Sequence, residues 1–404
     1  MYNKMQKVFL VGIGMGTVDT MTEEAMKVVR FSDCIIGAER MLALFADLEM
    51  HKLSEYRPAR IREYIENHRE YQRIAVVLSG DTGFYSGAKQ LVSELTDYEV
   101  ELVPGISSVV YLAARCQVSW EDAKLLSLHG RRTNFVDAIV RNRKTFLLLG
   151  QKGCGEMICD KLAYYGISQG NAHIGKNLSC ENEEIVTKPL QELRPEDLEG
   201  LAVVLIENPA PEERICRTLR EEEFIRGRVP MTKEEVRTVS LAKLGLTRDA
   251  VLYDVGAGTG TIAIEAALRS GDMRIYAIEK NKEGVELIRQ NARRFKVDQV
   301  EIVEGVAPDI LEKLEPPTHA FIGGSDGNLK EILRCLKAKN PEVRIVMTCI
   351  SLDTMREVME AVAEGLLREP EILQISVARS KKLGRHHMMH GENPIYIVSE
   401  QEGK

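Results

Sequence analysis

Residues 251–268 read VLYDVGAGTGTIAIEAAL, and this stretch decides the fold. An aliphatic run ends on an acid, Asp254; Gly256, Gly258 and Gly260 follow at alternate positions, and then a run of helix formers. That is a strand, a glycine turn and a helix in immediate succession, the opening of a βαβ unit. Glycines carry no Cβ, so backbone N–H groups can approach a ligand, and the helix N-terminus behind them favours a carboxylate. The spacing is GxGxG, whereas the dinucleotide fingerprint is GxGxxG, so the loop argues against NAD. Glu279 ends the next strand, RIYAIE, 25 residues after Asp254, one βαβ step further on. An acid there can accept hydrogen bonds from both hydroxyls of a ribose.

Working outward, the same alternation of aliphatic runs and amphipathic stretches continues on both sides. Towards the C-terminus come the helix KEGVELIRQNARRF, the strand VEIVEG, the segment THAFIGG, a helix at 328–337 and the strand VRIVMTC. A helix after Ser351 and two closing runs, EILQISVAR and NPIYIVS, complete the half; the closing pair predicts an antiparallel edge hairpin with a long loop. Towards the N-terminus, VFLVGIG, CIIGA, RIAVVLSG, VELVPG, TFLLLG and AVVLIE read as strands of a second α/β series with a largely parallel sheet. Between the halves, Pro209, Pro211 and Pro230 bracket a charge-dense stretch poor in aliphatics. The expected organisation is a domain at 1–207, a linker at 208–228 and a domain at 229–404.

Size and composition agree with two or three folded units: 404 residues at roughly 150 per domain. The hydrophobic fraction is 44% and the charged fraction 28%, ordinary for a folded protein. Lys and Arg number 54 against 61 Asp and Glu, a net charge of −7, which excludes a surface that neutralises phosphate everywhere and makes nucleic acid an unexpected partner. The eight cysteines, Cys34, Cys116, Cys154, Cys159, Cys180, Cys216, Cys335 and Cys349, form no CxxC pair and read as reduced thiols of a cytoplasmic protein. The apolar stretch at Val8–Val11 runs into Gly12, Gly14 and Gly16 and reads as a strand entering a glycine loop, not a signal peptide. No run of about 18 apolar residues exists to span a membrane.

The loop at 254–260 resembles the class I S-adenosyl-L-methionine (SAM) methyltransferase signature, with a Rossmann-like fold. The resemblance implies that Asp254, Gly256, Ala257, Gly258, Thr259, Gly260 and Glu279 hold the donor, with Val306 and Ala307 of EGVAPD beside the adenine. The N-terminal half carries VFLVGIGMG, LSGDTGFYSG, LVPGISSV and SLHGR after successive expected strands. Together these resemble the tetrapyrrole methylase family, a bilobal class III methyltransferase fold that binds folded SAM in a cleft between two α/β lobes. By that resemblance Met15, Gly80, Asp81, Thr82, Ser107, Ser108 and Leu149 border a second donor site, Met15 and Thr82 standing where prolines are commoner. Asp81 reads equally as a turn or helix-capping residue.

The order of the two halves, with RVPMTKEEVR, FIGGSDGNLKEIL and ARSKKLGRHHMMHGENPIYIV in the second, resembles the family of fused precorrin-6Y C(5,15)-methyltransferases (decarboxylating) of corrin synthesis. The resemblance implies methylation of carbon 5 by the first half, methylation of carbon 15 with decarboxylation by the second, and Thr232 in the second donor site. Both component families often form homo-oligomers.

A tetrapyrrole polycarboxylate needs local cationic surface. Residues 379–390, RSKKLGRHHMMH, contain no acid and offer Arg379, Lys382, Arg385 and His386 as substrate-binding candidates; Arg131 is a second, smaller candidate. Met388 and Met389 read as packing residues or as contacts for a flat ring. No metal ligand set and no catalytic acid is assigned. Methyl transfer needs alignment rather than a covalent nucleophile, so the lack of a triad motif is expected. The alternatives are a pair of methyltransferases acting on another substrate such as RNA, and a SAM-sensing scaffold.

Overall fold

The computed structural model describes residues 6–128, 134–150, 153–212 and 218–400. The chain divides into two compact units: Met1–Thr133 with Asn142–Pro211, and Asn134–Arg141 with Glu212–Lys404. No helix among the described residues is long and apolar enough to cross a membrane. The seven described cysteines all carry free thiols.

The first unit holds two five-stranded sheets. In one, the order is His51–Ser54, Cys34–Gly37, Arg73–Leu78, Lys7–Gly12, Glu99–Val103, and every pairing is parallel. Its three central strands are mainly apolar because both of their faces are covered: Val8 and Leu10 face one buried cluster, Val11 and Ile13 the other. The other sheet runs Lys124–Ser127, Lys144–Leu148, Ala202–Glu207, Asn171–Lys176, Glu184–Pro189 and is mixed; only its first pairing is parallel. The largely parallel arrangement expected from the sequence therefore stops at Leu148. The reason is that Ala202–Glu207 runs antiparallel to both Lys144–Leu148 and Asn171–Lys176, the latter forming a hairpin with Glu184–Pro189; these two hairpin strands have no aliphatic run to announce them.

The second unit is a doubly wound sheet of seven strands, ordered Val300–Glu304, Arg274–Glu279, Val251–Val255, His319–Ile322, Arg344–Cys349, Ile395–Glu400, Pro370–Ile375. The first five are parallel, and the last two are antiparallel to their neighbours. The chain reverses its winding direction at Val251–Val255, which places a ligand crevice at the C-terminal end of that strand. Helix Lys282–Phe295 illustrates how the flanking layer forms. Asn281 caps it, its side chain accepting the Glu283 N–H at 2.8 Å, and Val285, Leu287, Ile288 and Ala292 make one buried stripe. Leu219 and Phe224, inside the stretch read as linker, are buried in this unit's core.

The closing run EILQISVAR is not one strand. It splits at Ser376 and Val377 into Pro370–Ile375, in the large sheet, and Ala378–Leu383, which pairs with His386–Gly391 as a separate two-stranded ribbon. Residues 379–390 are thus a ribbon with a two-residue turn at Gly384 and Arg385, not a loop; Gly384 has φ +60°.

Candidate functional sites

In the second unit the glycine loop folds around the end of strand Arg274–Glu279. The N–H groups of Gly256 and Ala257 both donate to the Ile278 carbonyl at 3.0 Å, and the Gly258 N–H donates to Glu279 Oε2 at 2.8 Å. Glu279 Oε1 accepts the Asn281 N–H at 2.8 Å, so both carboxylate oxygens are oriented by backbone while keeping further lone pairs. The N–H groups of Gly256, Ala257 and Gly258 therefore do not cradle a ligand, as the sequence suggests; they are engaged by the end of strand Arg274–Glu279. Glycine is required for a different reason: at Gly256, φ is +72° and a Cβ would lie 2.8 Å from Gly324 N and O.

What the loop leaves open is acceptor capacity. Asp254 is buried, and its Oδ2 accepts the Ala263 N–H at 3.0 Å, but its Oδ1 has no partner. Thr259 Oγ1, also buried, has none either. Burial, with the nearby negative charge of Glu279, pushes the Asp254 carboxyl up to about 7. A buried carboxylate with an unused oxygen beside a second acid suits a cationic ligand with ribose hydroxyls, and so fits SAM, which carries a sulfonium and an ammonium group. The loop after strand Val300–Glu304 is held alongside, since Gly305 donates to the Glu279 carbonyl at 3.1 Å. It places half-exposed Val306 and buried Ala307 at the same end of the sheet.

A second layer was not legible in the sequence. Arg237, fully buried on helix Glu234–Leu244, donates from Nε to Glu265 Oε1 at 2.6 Å, from Nη1 to the Thr232 carbonyl at 2.8 Å, and from Nη2 to the Leu219 carbonyl. Leu219 N–H donates to the same Glu265 oxygen at 2.8 Å, and the guanidinium lies over the Phe224 ring at 5.1 Å. Even so, burial holds the Glu265 carboxyl above the usual range, outweighing the pull of Arg237. In sequence this Arg reads as one more charge in a solvated helix, because its partners lie 18 residues upstream and 28 downstream.

In the first unit three strand ends converge. Gly14 and Gly80 form a bridge, Gly14 N–H donating at 3.2 Å and Gly80 N–H donating back at 2.7 Å. Asp81 ties the turn to its neighbour: Oδ2 accepts the Gly83 N–H at 2.7 Å and Oδ1 the Gly105 N–H at 3.1 Å. A Cβ on Gly12 would lie 2.8 Å from Gly105 N and Gly80 O, so the close approach of the loops depends on glycine. Ser107 caps helix Ser108–Arg115, accepting the Val110 N–H at 3.3 Å. These loops and the ends of the mixed sheet enclose a cavity of about 280 Å³. Met15, Gly80, Asp81, Ser107, Ser108 and Leu149 all line it, facing Gly175 and Val203 of the mixed sheet; Thr82 is buried and is not among the lining residues.

The ribbon Ala378–Leu383/His386–Gly391 is exposed along its whole length. Lys382 pairs across it with His387, and Leu383 with His386. Arg379 is engaged elsewhere, donating to both oxygens of Glu235 at 2.8 and 2.6 Å, with Glu221 at 3.6 Å. Arg131 lies outside the described residues.

The family model described as Tetrapyrrole (Corrin/Porphyrin) Methylases matches residues 7–194, and that described as Precorrin methyltransferase domain matches residues 224–401. The precorrin-6Y C(5,15)-methyltransferase [decarboxylating] of a Sinorhizobium species is 27% identical over 97% of this chain and 94% of its own length. A probable cobalt-precorrin-6B C(15)-methyltransferase (decarboxylating) of Pyrobaculum calidifontis is 40% identical over 42% of this chain and 88% of its own. Among solved structures, a precorrin-6Y C5,15-methyltransferase of Geobacter metallireducens is 35% identical, with a TM-score of 0.44, over 46% of this chain and 96% of that one. The chain belongs to the precorrin-6Y C(5,15)-methyltransferase (decarboxylating) family, a tetrapyrrole methylase half joined to a precorrin methyltransferase half.

Proposed function

We infer that this chain is a bifunctional SAM-dependent C-methyltransferase of cobalamin (corrin) biosynthesis. It methylates carbons 5 and 15 of a precorrin-6 type tetrapyrrole and removes the ring C acetate carboxyl as carbon dioxide. The observation that carries this is the presence on one chain, in one order, of both methylase halves, matched along 97% of its length by a relative of that name. The division of labour follows the halves, 1–207 for carbon 5 and 229–404 for carbon 15, with 208–228 leading from one into the other.

SAM, when bound, supplies a methyl group on a positively charged sulfur. In the second half Asp254 and Thr259 would offer their unused acceptor atoms to its cationic end, and Glu279 its remaining lone pairs to the ribose. Val306 and Ala307 would flank the base, and Thr232 would close the site from the preceding segment. In the first half the cavity bordered by Met15, Gly80, Asp81, Ser107, Ser108 and Leu149 takes the second donor, with buried Thr82 next to Asp81 in the same loop. Lys382, Arg385 and His386 on the exposed ribbon would meet substrate carboxylates, as would Arg131, while Arg379 holds the ribbon's base. A cytoplasmic homo-oligomer without nucleic-acid or membrane partners completes the reading.

The test is incubation with labelled SAM and a precorrin-6 type substrate, read by mass: gain of two methyl groups and loss of carbon dioxide. Gly258→Arg should abolish methylation at carbon 15 and spare carbon 5, because a Cβ at Gly258 already lies 2.6 Å from the Pro230 carbonyl. Loss of both methylations in a folded variant would point to one shared site, and transfer of label to RNA would overturn the reading.

A further inference from the structure

We propose that Arg237 is a positioning residue for donor binding in the second unit, its buried guanidinium fixing residues 219–232 as a strap over the glycine loop. The proposal rests on the assignment of that loop to SAM. Three observations converge on it. The strap touches the loop directly, since a Cβ on Gly258 would lie only 2.6 Å from the Pro230 carbonyl oxygen. It is tied down at three carbonyls and two N–H groups. Arg237 takes the carbonyls of Leu219 and Thr232, while buried Asn291 takes the Ile225 N–H at 2.7 Å and the Ile225 carbonyl at 3.0 Å; Leu219 N–H goes to Glu265. Both ties are referenced to the loop itself. Asn291 also donates to the Thr259 carbonyl at 3.1 Å, and Glu265 sits on helix Thr261–Ala267, which starts directly after Gly260.

The residue type matters. A guanidinium sends donors from one rigid plane to Glu265, Leu219 and Thr232 at once, whereas a lysine has a single nitrogen and cannot span the three. Stability alone does not account for the pair, because desolvating two charges offsets most of their attraction in the interior. What the pair supplies is a fixed position for the strap, and with it for the Pro230 carbonyl beside Gly258, so a shift of the strap opens or crowds the glycine loop that carries the acceptors of Asp254 and Thr259.

Arg237→Lys keeps the charge opposite Glu265 and loses the carbonyl bonds. At saturating tetrapyrrole, it should raise the SAM KM of carbon 15 methylation about tenfold, the equivalent of one lost hydrogen bond, with kcat within about twofold. The SAM KM of carbon 5 methylation should not move. An unchanged carbon 15 KM overturns the proposal whether or not kcat falls, because a fall in kcat alone reports a smaller folded fraction. Where Arg237→Lys loses the cooperative unfolding transition of the second unit, Glu265→Gln carries the test: its neutral amide oxygen accepts from Arg237 and Leu219 more weakly than the carboxylate Oε1 does, so the strap is loosened while its contacts are kept. A raised KM in folded Glu265→Gln supports the strap, and a wild-type KM overturns it. Failure of the underlying assignment reads differently: Gly258→Arg would then leave carbon 15 methylation intact.

Discussion

Replacing Glu279 by Gln changes one atom and no volume, which makes it a clean probe of the second site. Both oxygens of Glu279 accept a backbone N–H at 2.8 Å, from Gly258 and from Asn281, in a side chain only 7% exposed. An amide has one acceptor oxygen, so either orientation leaves an NH₂ group facing an N–H. Losing one charge-assisted bond and stranding one donor costs about 2–3 kcal/mol in total. Part of that loss falls on folding of the second unit, and part on SAM affinity, because the same loop carries the acceptors that meet the ligand. The expected result is a lower unfolding midpoint for the second unit together with SAM binding at least about tenfold weaker there, tenfold being 1.4 kcal/mol. Calorimetric titration of the whole chain contains its own control, since the first unit's site should keep its affinity. If the two losses together stay below about 0.5 kcal/mol, the carboxylate is not organising the loop and the reasoning fails.

Three further outcomes follow from the same geometry. The Asp254 carboxyl is held up to about 7, so the folded state binds its proton more tightly than the unfolded chain does. Stability of the second unit should decline by up to about 4 kcal/mol as pH rises from about 4 to 7 and level off above, and Asp254→Asn should remove that slope; parallel pH–stability curves for the two proteins would count against it. In the first unit, Asp81→Asn leaves one of the Gly83 and Gly105 amides without an acceptor. Carbon 5 methylation should drop by roughly tenfold with carbon 15 methylation unchanged, and equal loss of both would refute a local effect. Lys382→Ala combined with Arg385→Ala should raise the tetrapyrrole KM while leaving SAM affinity alone; an unaltered KM removes the ribbon from the substrate site.

How much of this the sequence announces depends on where each residue's partners lie. The central parallel strands are legible because both of their faces are buried, so Lys7–Gly12 and Val251–Val255 appear as mainly apolar runs, KVFLVG and VLYDV, with no polar alternation. Asn171–Lys176 and Glu184–Pro189 escape notice because polar residues interrupt both, NAHIGK and EIVTKP, and neither presents such a run. The ribbon at 378–391 has no buried face, hence no periodicity, and only the Gly384–Arg385 turn between its arms signals it. Leu219 and Phe224 look like linker until the Arg237–Glu265 pair that seats them is seen, a pairing no local pattern can report.

The two glycine loops, SGDTG in the first half and DVGAGTG in the second, differ in spacing and use their carboxylates in opposite senses. Asp81 turns both oxygens inward, onto Gly83 and Gly105, and so acts as a strut between two loops. Its charge is compensated by N–H dipoles before any ligand arrives, and the cavity beside it is lined by apolar side chains such as Met15, Phe84, Leu149 and Leu178 together with glycines and serines. Asp254 directs one oxygen to Ala263 and leaves the other buried and bare, next to Glu279. Such an arrangement is costly for the empty protein, since an uncompensated buried carboxylate holds its proton to about 7. A cationic ligand relieves that cost on arrival. Binding of SAM to the second unit should therefore release a proton near neutral pH, and binding to the first should not. Titration in buffers of different ionisation enthalpy separates the two, and proton release of equal size at both sites would show that the bare oxygen of Asp254 is not what receives the donor.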